Sequence, residues 1–426
     1  MSTARVGRTH WAGIDWSDDH HWVHVVDDRG KKIIAFNVPH TDAGLVEICV
    51  RLRQFENLRG TAIETTRHVV VRALLDAGLA VYPINPKMAN AWFKGESVAG
   101  AKSDPRDTGA LARGLAQHHP HLRTLAVDDD ATRTLALLCR DEMSLIDEHT
   151  ALVNKLQACL KEYYPLAISW FGDWTTLKAW DFIATFPRPE GLRTADRRKL
   201  VGFLKKHRTG LSPDWRQRID HERKTSAWPV DSVLSDARSD YAVALVRQLQ
   251  TLREQLKAYR KRIESLFEQH PDAALFRSLP GAGPKLAPRL LAAFGSDRDR
   301  YESAHSLQQL SGCVPVTRQS GKRRRVVFRR ACQKPFRRTM HLFAEKSMQY
   351  CVWAKAVYQQ ACEAGHKHGH ALRILAARWL KIIYRMWVTR RPYNESLYLA
   401  QLIRRGSPVI ETIRKSETLS NLQESA

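Results

Sequence analysis

Apolar residues near the N-terminus fall in short runs broken by turn residues. Trp11 to Trp16 is one run, carrying Asp15 near its end, and Trp22 to Val26 is a second. A third, Lys31 to Val38, follows the turn residues Asp27-Asp28-Arg29-Gly30, so three strands are predicted. Leu45, Ile48, Cys49 and Leu52 then recur at helical spacing, which predicts a helix over Thr41–Arg53. Gly60-Thr61-Ala62-Ile63-Glu64 reads as a buried strand closed by a carboxylate, Val69–Ala77 as a helix, and Ala80–Ile84 as a short strand weakened by Pro83. After Pro86 the chain turns polar. Lys102-Ser103-Asp104-Pro105-Arg106-Asp107 opens a helix to about Ala116, with Ser103 as its cap and Pro105 in its first turn. Asp104 and Asp107, three apart, share one face of it.

Three strands, a helix, a strand, a helix and a strand make a mixed α/β sheet in the order of a ribonuclease-H-like fold. Beyond it the pattern becomes helical. Asp130–Tyr164 is a charged helix, and residues 165–235 place Trp170, Trp174, Trp180, Trp215 and Trp228 in short helices with aromatic packing. Leu245, Leu249, Leu252, Leu256, Tyr259, Ile263 and Leu266 step by four and three, an a/d seam that suits a coiled coil within the chain or between subunits. An amphipathic helix on a core is the other reading of the same seam. Leu279-Pro280-Gly281-Ala282-Gly283-Pro284 leads into an apolar helix to Phe294. The remainder is helical except for a hairpin over 312–330, and the last ten residues look frayed. Three regions follow: 1–130 an α/β domain, 131–270 a helical and coiled-coil region, and 271–426 a mainly helical C-terminal domain.

Charge changes the picture. A net +24 on 426 residues points to a polyanionic partner, and residues 271–426 carry most of it, with 28 Lys and Arg against 10 Asp and Glu. Seven cysteines with no C-x-x-C pair suit reduced thiols rather than a disulfide frame or zinc knuckle. No apolar run nears the ~20 residues that span a bilayer, so a cytoplasmic protein without a membrane partner is expected.

Two sets of residues carry candidate chemistry. Asp15 and Glu64 end neighbouring strands, and Asp104 and Asp107 come from one helical face. Converging, the four would hold two Mg²⁺ or Mn²⁺ ions about 4 Å apart. Singly, each reads as a turn, strand-end or helix-start carboxylate. The second set runs from Ser311 to Arg325, where Ser-Gly steps at Ser311-Gly312 and Ser320-Gly321 precede Lys322, Arg323, Arg324 and Arg325. It reads either as a nucleophile beside a phosphate-binding strip or as a basic surface hairpin. Arg318, Lys322, Arg323, Arg324, Arg325, Arg329 and Arg330 are candidate phosphate contacts. Gly281, Gly283 and Lys285 are further candidates at a helix start, where a plain helix–turn–helix junction is the alternative. His366, His368 and His370 read as an exposed loop.

Gly13-Ile14-Asp15-Trp16, Ile63-Glu64-Thr65-Thr66 and the Lys102–Asp107 segment resemble the D-E-D-D motifs of the insertion-sequence one-ten family of transposases, to which the pilin-inversion recombinase Piv is related. Leu279–Pro284 and Gly312–Gly321 resemble that family's second block. The resemblance implies a RuvC-like domain, a coiled-coil segment and a C-terminal transposase domain. It also implies a bacterial, nucleoid-associated recombinase directed by a structured bridge RNA, whose loops pair with donor and target DNA. Within it Ser320 would attack a DNA phosphate to form a phosphoserine, beside carboxylates supplied by another subunit of a dimer or tetramer. Ser311 is a second candidate nucleophile. Two other classes stand beside this one: a RuvC-like junction nuclease that uses water, and a non-catalytic nucleic-acid scaffold.

Overall fold

The computed structural model describes residues 9–66, 68–96, 104–125, 127–208, 215, 217–220 and 232–415. Ser103, Trp228 and the last ten residues, expected respectively as a cap, an aromatic packing residue and a frayed end, lie outside them. The chain divides into two compact units, residues 1–127 and 128–426.

The first unit is a five-stranded sheet built from β1 (His10–Trp16), β2 (His20–Asp27), β3 (Lys32–Pro39), β4 (Leu58–Ile63) and β5 (Val81–Pro83). The order is β3-β2-β1-β4-β5, with β1, β2 and β3 antiparallel in turn and β4 and β5 parallel to β1. The helices are α1 (Asp42–Arg53), α2 (Val69–Asp76), α3 (Pro86–Glu96) and α4 (Asp104–His118). Alternation of side chains sorts them onto two faces. Ala12, Ile14, Val23 and Val25 pack with Ile48 and Leu52 of α1 and Val70 and Leu74 of α2. Trp11, Val26 and Ala62 pack on the opposite side with Leu111, Ala112 and Leu115 of α4. This is the mixed, ribonuclease-H-like sheet that the order of elements predicts, and the RuvC-like domain that the resemblance implies. The expected polar stretch after Pro86 is instead α3, with Ala89 buried and the Trp92 ring closed against Gly114 of α4. Only Ala89, Trp92 and Phe93 mark its inner face, too few to give a clear period.

The second unit is helical apart from one hairpin. Its spine pairs α5 (Asp130–Tyr163) with a 37-residue helix, Ser232–Glu268. They run antiparallel: Leu135 and Leu138 share a core with Ile263 and Phe267, while Leu156 and Leu160 share another with Leu245 and Leu249. The a/d seam is therefore closed within the chain, with Leu245, Leu249, Leu252, Leu256 and Ile263 all buried. Between these helices lie α6 (Pro165–Trp170), α7 (Leu177–Thr185), α8 (Pro189–Arg193) and α9 (Arg197–Lys206), which bury Trp174, Trp180 and Trp215. The long partner of α5 is α10, followed by α11 (Ala273–Arg277), α12 (Gly283–Phe294) and α13 (Ala304–Ser311). After the hairpin strands β6 (Val316–Ser320) and β7 (Arg323–Val327) come α14 (Lys334–Ser347), α15 (Val352–Glu363), α16 (His368–Thr389) and α17 (Glu395–Arg404). Trp353, Trp379 and Trp387 fill this core. Buried Glu142 of α5 ties it to the spine, accepting from Arg260 of α10 at 3.0 Å and Arg289 of α12 at 2.7 Å. Losing Glu142 would strand the buried charge of Arg289, at a cost of about 3–5 kcal/mol.

Candidate active site

The carboxylates are placed by register. Ile14 of β1 sits beside Ile63 of β4, so the residues that follow, Asp15 and Glu64, leave adjacent parallel strands at the same level. Trp11, Gly13 and Asp15 alternate onto the α4 face, as do Gly60 and Ala62 on the neighbouring strand, and Glu64 follows the end of that strand. Helix α4 lies directly on Gly13: a Cβ there would stand within 3.0 Å of the Thr108 carbonyl oxygen, the Ala112 nitrogen and Leu111 Cβ. The helix runs antiparallel to β1, since His119 beyond its end packs against Trp11, the two rings tilted by 33° with centroids 4.3 Å apart. Its first turn therefore lies over the C-terminal end of β1, where Asp15 emerges. Asp107, in that turn, is 8 % exposed, and Asp15 and Glu64 are half-buried. Asp104 begins α4, and its side chain lies outside the described residues.

Asp15 and the first turn of α4, which carries Asp107, thus lie toward one end of the sheet, and Glu64 leaves the neighbouring strand at the level of Asp15. The hard oxygen donors of carboxylates suit Mg²⁺ or Mn²⁺ rather than a softer metal. His24 of β2 lies on the same face one step further in: it pairs with Gly13 across the sheet, and a Cβ on Gly109 of α4 would stand 3.1 Å from its ring. Neither charge nor spacing singles His24 out in the sequence.

The hairpin is built differently. Every residue from Thr317 to Val326 is exposed. Ser320 pairs with Arg323 and Arg318 with Arg325, and Gly321 turns the chain with φ +54°. By alternation, Arg318, Ser320, Arg323 and Arg325 project from one face, so the serine stands among three guanidinium groups. Arg318 opposite Arg325 is a like-charge pair, which weakens a free hairpin. Phe328, at its root, is held between Arg337 and Arg373, whose guanidinium carbons lie 4.5 and 4.7 Å from the ring centre. Lys322, Arg324 and Arg330 are exposed, and Arg329 is half-buried with its carbonyl accepting from Arg337.

Other candidates separate on the same grounds. Ser311 is fully buried and donates to the Gln308 carbonyl at 3.1 Å, so no phosphate can reach it. Gly281 (φ +78°) is a turn packed against Lys346 and Tyr350 of α14 and its end. Gly283 begins α12 beside exposed Lys285, in a small cavity shared with Glu264 and the ion pair of Glu268 with Arg277. His366, His368 and His370 lie in a surface turn and the first turn of α16.

Residues 12–165 match a transposase family model for IS110-type D-E-D-D enzymes, and residues 273–359 match the transposase family IS116/IS110/IS902. The "Mini-circle putative transposase for IS117" of Streptomyces coelicolor is 30% identical over 93% of this chain and 98% of its own length. The chain belongs to the IS110 family of transposases. It is similar as well to the "Insertion element IS116 uncharacterized 44.8 kDa protein" of Streptomyces clavuligerus, at 25% identity over 90% of this chain and 96% of that one. A solved structure, "T. thermophilus RuvC in complex with Holliday junction substrate", aligns with 28% of this chain and 99% of its own at 18% identity and a TM-score of 0.23. That likeness is too slight to argue from, and the RuvC-like assignment rests on strand order and the family match. The transposase is thus a DNA-acting enzyme of the recombinase class. Among its described residues no helix is long and apolar enough to cross a membrane.

A group that the sequence does not suggest lies on the opposite face of the transposase's sheet. His21, His40 and His68 bring one ring nitrogen each within 4.8 Å of the others, close enough to hold a metal ion. His21 is fully buried, and burial together with neighbouring His40, His68 and His20 pushes its pKa down to about 4. His68 is also lowered, by burial and then His40, against an opposing pull from Asp18. The three residues come from distant parts of the chain, so no spacing signals the cluster.

Proposed function

We propose that this transposase cuts and rejoins donor and target DNA of a bacterial insertion sequence, with Asp15, Glu64, Asp104 and Asp107 holding Mg²⁺ or Mn²⁺ and Ser320 making the attack. The packing of α4 on Gly13 carries the carboxylate half of the reading, because it fixes Asp107 at the strand end that bears Asp15. When bound, the divalent ions ready an attacking oxygen and stabilise a leaving one. Acidic side chains alone would repel a DNA phosphate, so the carboxylates need that positive charge.

Serine is a poor nucleophile at its ordinary pKa, so Ser320 needs activation. Arg318, Arg323 and Arg325 on the same hairpin face would seat the phosphate and stabilise charge as it builds. The Ser320 oxygen forms a bond to phosphorus, the bond to one sugar oxygen breaks, and the serine proton leaves with that oxygen or to solvent. A strand hydroxyl attacking the phosphoserine reverses the step, so strands are rejoined without ATP. The carboxylates and Ser320 belong to separate compact units. In this reading residues 1–130 hold metal, 131–270 form the helical arm and 271–426 present the serine. The family resemblance adds that the two halves come from different subunits of a dimer or tetramer and that a structured bridge RNA selects both DNAs. The excess of Lys and Arg on an exposed hairpin supports backbone contact, with sequence left to base pairing. Lys322, Arg324, Arg329 and Arg330, with Lys285 and the turn at Gly281 and Gly283, are assigned weaker contributions to the same backbone contact.

A second reading gives the attack to water and keeps the carboxylate site, which the RuvC-like sheet favours. Cleavage of labelled donor and target DNA with Mg²⁺ and the element's RNA separates the two. Loss of cutting in both Asp15→Asn and Ser320→Ala supports the serine, whereas cutting that survives Ser320→Ala but not Asp15→Asn leaves the water mechanism.

A further inference from the structure

We propose that His21, His40 and His68 form a second metal site, of zinc type, on the face of the sheet turned away from the carboxylates. His21 is the second residue of β2 and alternates with Val23 and Val25 toward α1 and α2. His40 lies between β3 and α1. His68 caps α2, its Nδ1 accepting weakly from the Val70 amide at 3.4 Å. Three separate junctions thus deliver three imidazoles to one place, with ring centroids 5.0, 5.7 and 5.2 Å apart.

The donor set and burial point to a soft-to-borderline cation. His21 Nε2 and His40 Nδ1 share a hydrogen bond at 2.8 Å, which a metal ion would replace. Tetrahedral zinc with bonds of about 2.0–2.1 Å holds its ligand nitrogens roughly 3.3 Å apart, so this pair needs to open by about half an ångström. Each neutral imidazole has one lone-pair nitrogen to offer an ion, so ligation by His68 Nδ1 would replace its weak bond from the Val70 amide. His40 and His68 are half-exposed, which leaves the fourth position to water. Mg²⁺ would not choose three nitrogens. The site also has a consequence for the other face: His68 lies four residues beyond Glu64, so a metal here pins the segment that leaves β4. The binding claim does not rest on the catalytic reading, although that consequence does.

The test is a Co²⁺ titration of the full-length protein, untagged and metal-stripped, in excess Mg²⁺, with visible absorption as the readout. One equivalent of Co²⁺ should give an intense tetrahedral spectrum that added Zn²⁺ removes. His40→Gln and His68→Gln, both at half-exposed positions and checked for folding by circular dichroism, should lose it. Asp15→Asn and a triple His366→Gln, His368→Gln, His370→Gln variant should keep it. Absence of the spectrum in wild-type protein would overturn the proposal. So would a spectrum that survives the two histidine variants, or one lost only in Asp15→Asn, which would assign the ion to the carboxylates. Failure of DNA cleavage with the cobalt spectrum intact would count against the catalytic reading alone.

Discussion

The α4 face of the sheet and the β6–β7 hairpin hold the two halves of the proposed chemistry and are built on opposite principles. Asp107 sits on a helix whose backbone touches a strand glycine, so its place is fixed by packing before any ligand arrives. Ser320 stands at the tip of an exposed two-stranded ribbon with Arg318 across from Arg325, a geometry that costs stability until an anion arrives. A site that must hold metal is preorganised. A site that must grip a strand of nucleic acid leaves its final form to the partner. If so, substitutions on the first should change folding and activity together, and those on the second should change activity while leaving the fold alone.

The largest effect is expected from the carboxylates. Asp15→Asn and Asp107→Asn each remove charge without changing shape, and DNA cleavage should fall about a hundredfold or more, read in a single-turnover assay. Gly13→Ala comes next. Its methyl collides with backbone of α4, so unfolding should show a loss of about 1–3 kcal/mol, with weaker cleavage. Gly321→Ala on the hairpin is the contrast: nothing lies within 4 Å, and only its φ of +54° is strained. It should cost about 1–2 kcal/mol locally and leave the global melting temperature nearly unchanged. Equal global losses at the two glycines would break the comparison.

Smaller effects sharpen it. Arg318→Gln and Arg325→Gln should each weaken nucleic-acid binding at every sequence, lowering the slope of log affinity against log salt by about 1. Their stability should stay within ~0.5 kcal/mol of wild type, as for other exposed positions. The smallest effect lies at the hairpin root. Burial, then nearby Arg373 and Arg337, hold the His341 pKa below its ordinary 6.5. As pH falls the unfolded chain takes up that proton first, so the stability is complete above 6.5 and is lost on going lower, toward the folded value. His341→Gln should flatten this acid limb in a series of melting temperatures.

Much of this was legible in the sequence because the physics that sets it is local. Alternation in Trp11–Trp16 and Gly60–Glu64 gives both the strands and the level at which two carboxylates emerge, and the D-x-x-D spacing marks the helix that answers them. Helix α3 escaped because three inner residues give no period. The seam of α10 was plain, but its partner α5 within the chain was not, since a heptad repeat states that a helix pairs and not with what. Ser320 is one exposed serine among several, and its role enters only through the family resemblance. His21, His40 and His68 left no trace, because three single histidines in different strands and junctions become neighbours only through the tertiary fold.

The central claim, that Ser320 attacks DNA under the influence of the carboxylates, is tested most directly by trapping the protein–DNA adduct and mapping it. Wild-type protein, Mg²⁺, the element's RNA and labelled DNA would be quenched in denaturant, digested with nuclease and protease, and sequenced by mass spectrometry. A nucleotide-bearing phosphoserine at Ser320, absent when Asp15→Asn replaces the wild type, is the predicted result. DNA cut to completion with no modified peptide, or with the nucleotide on another residue, would contradict it.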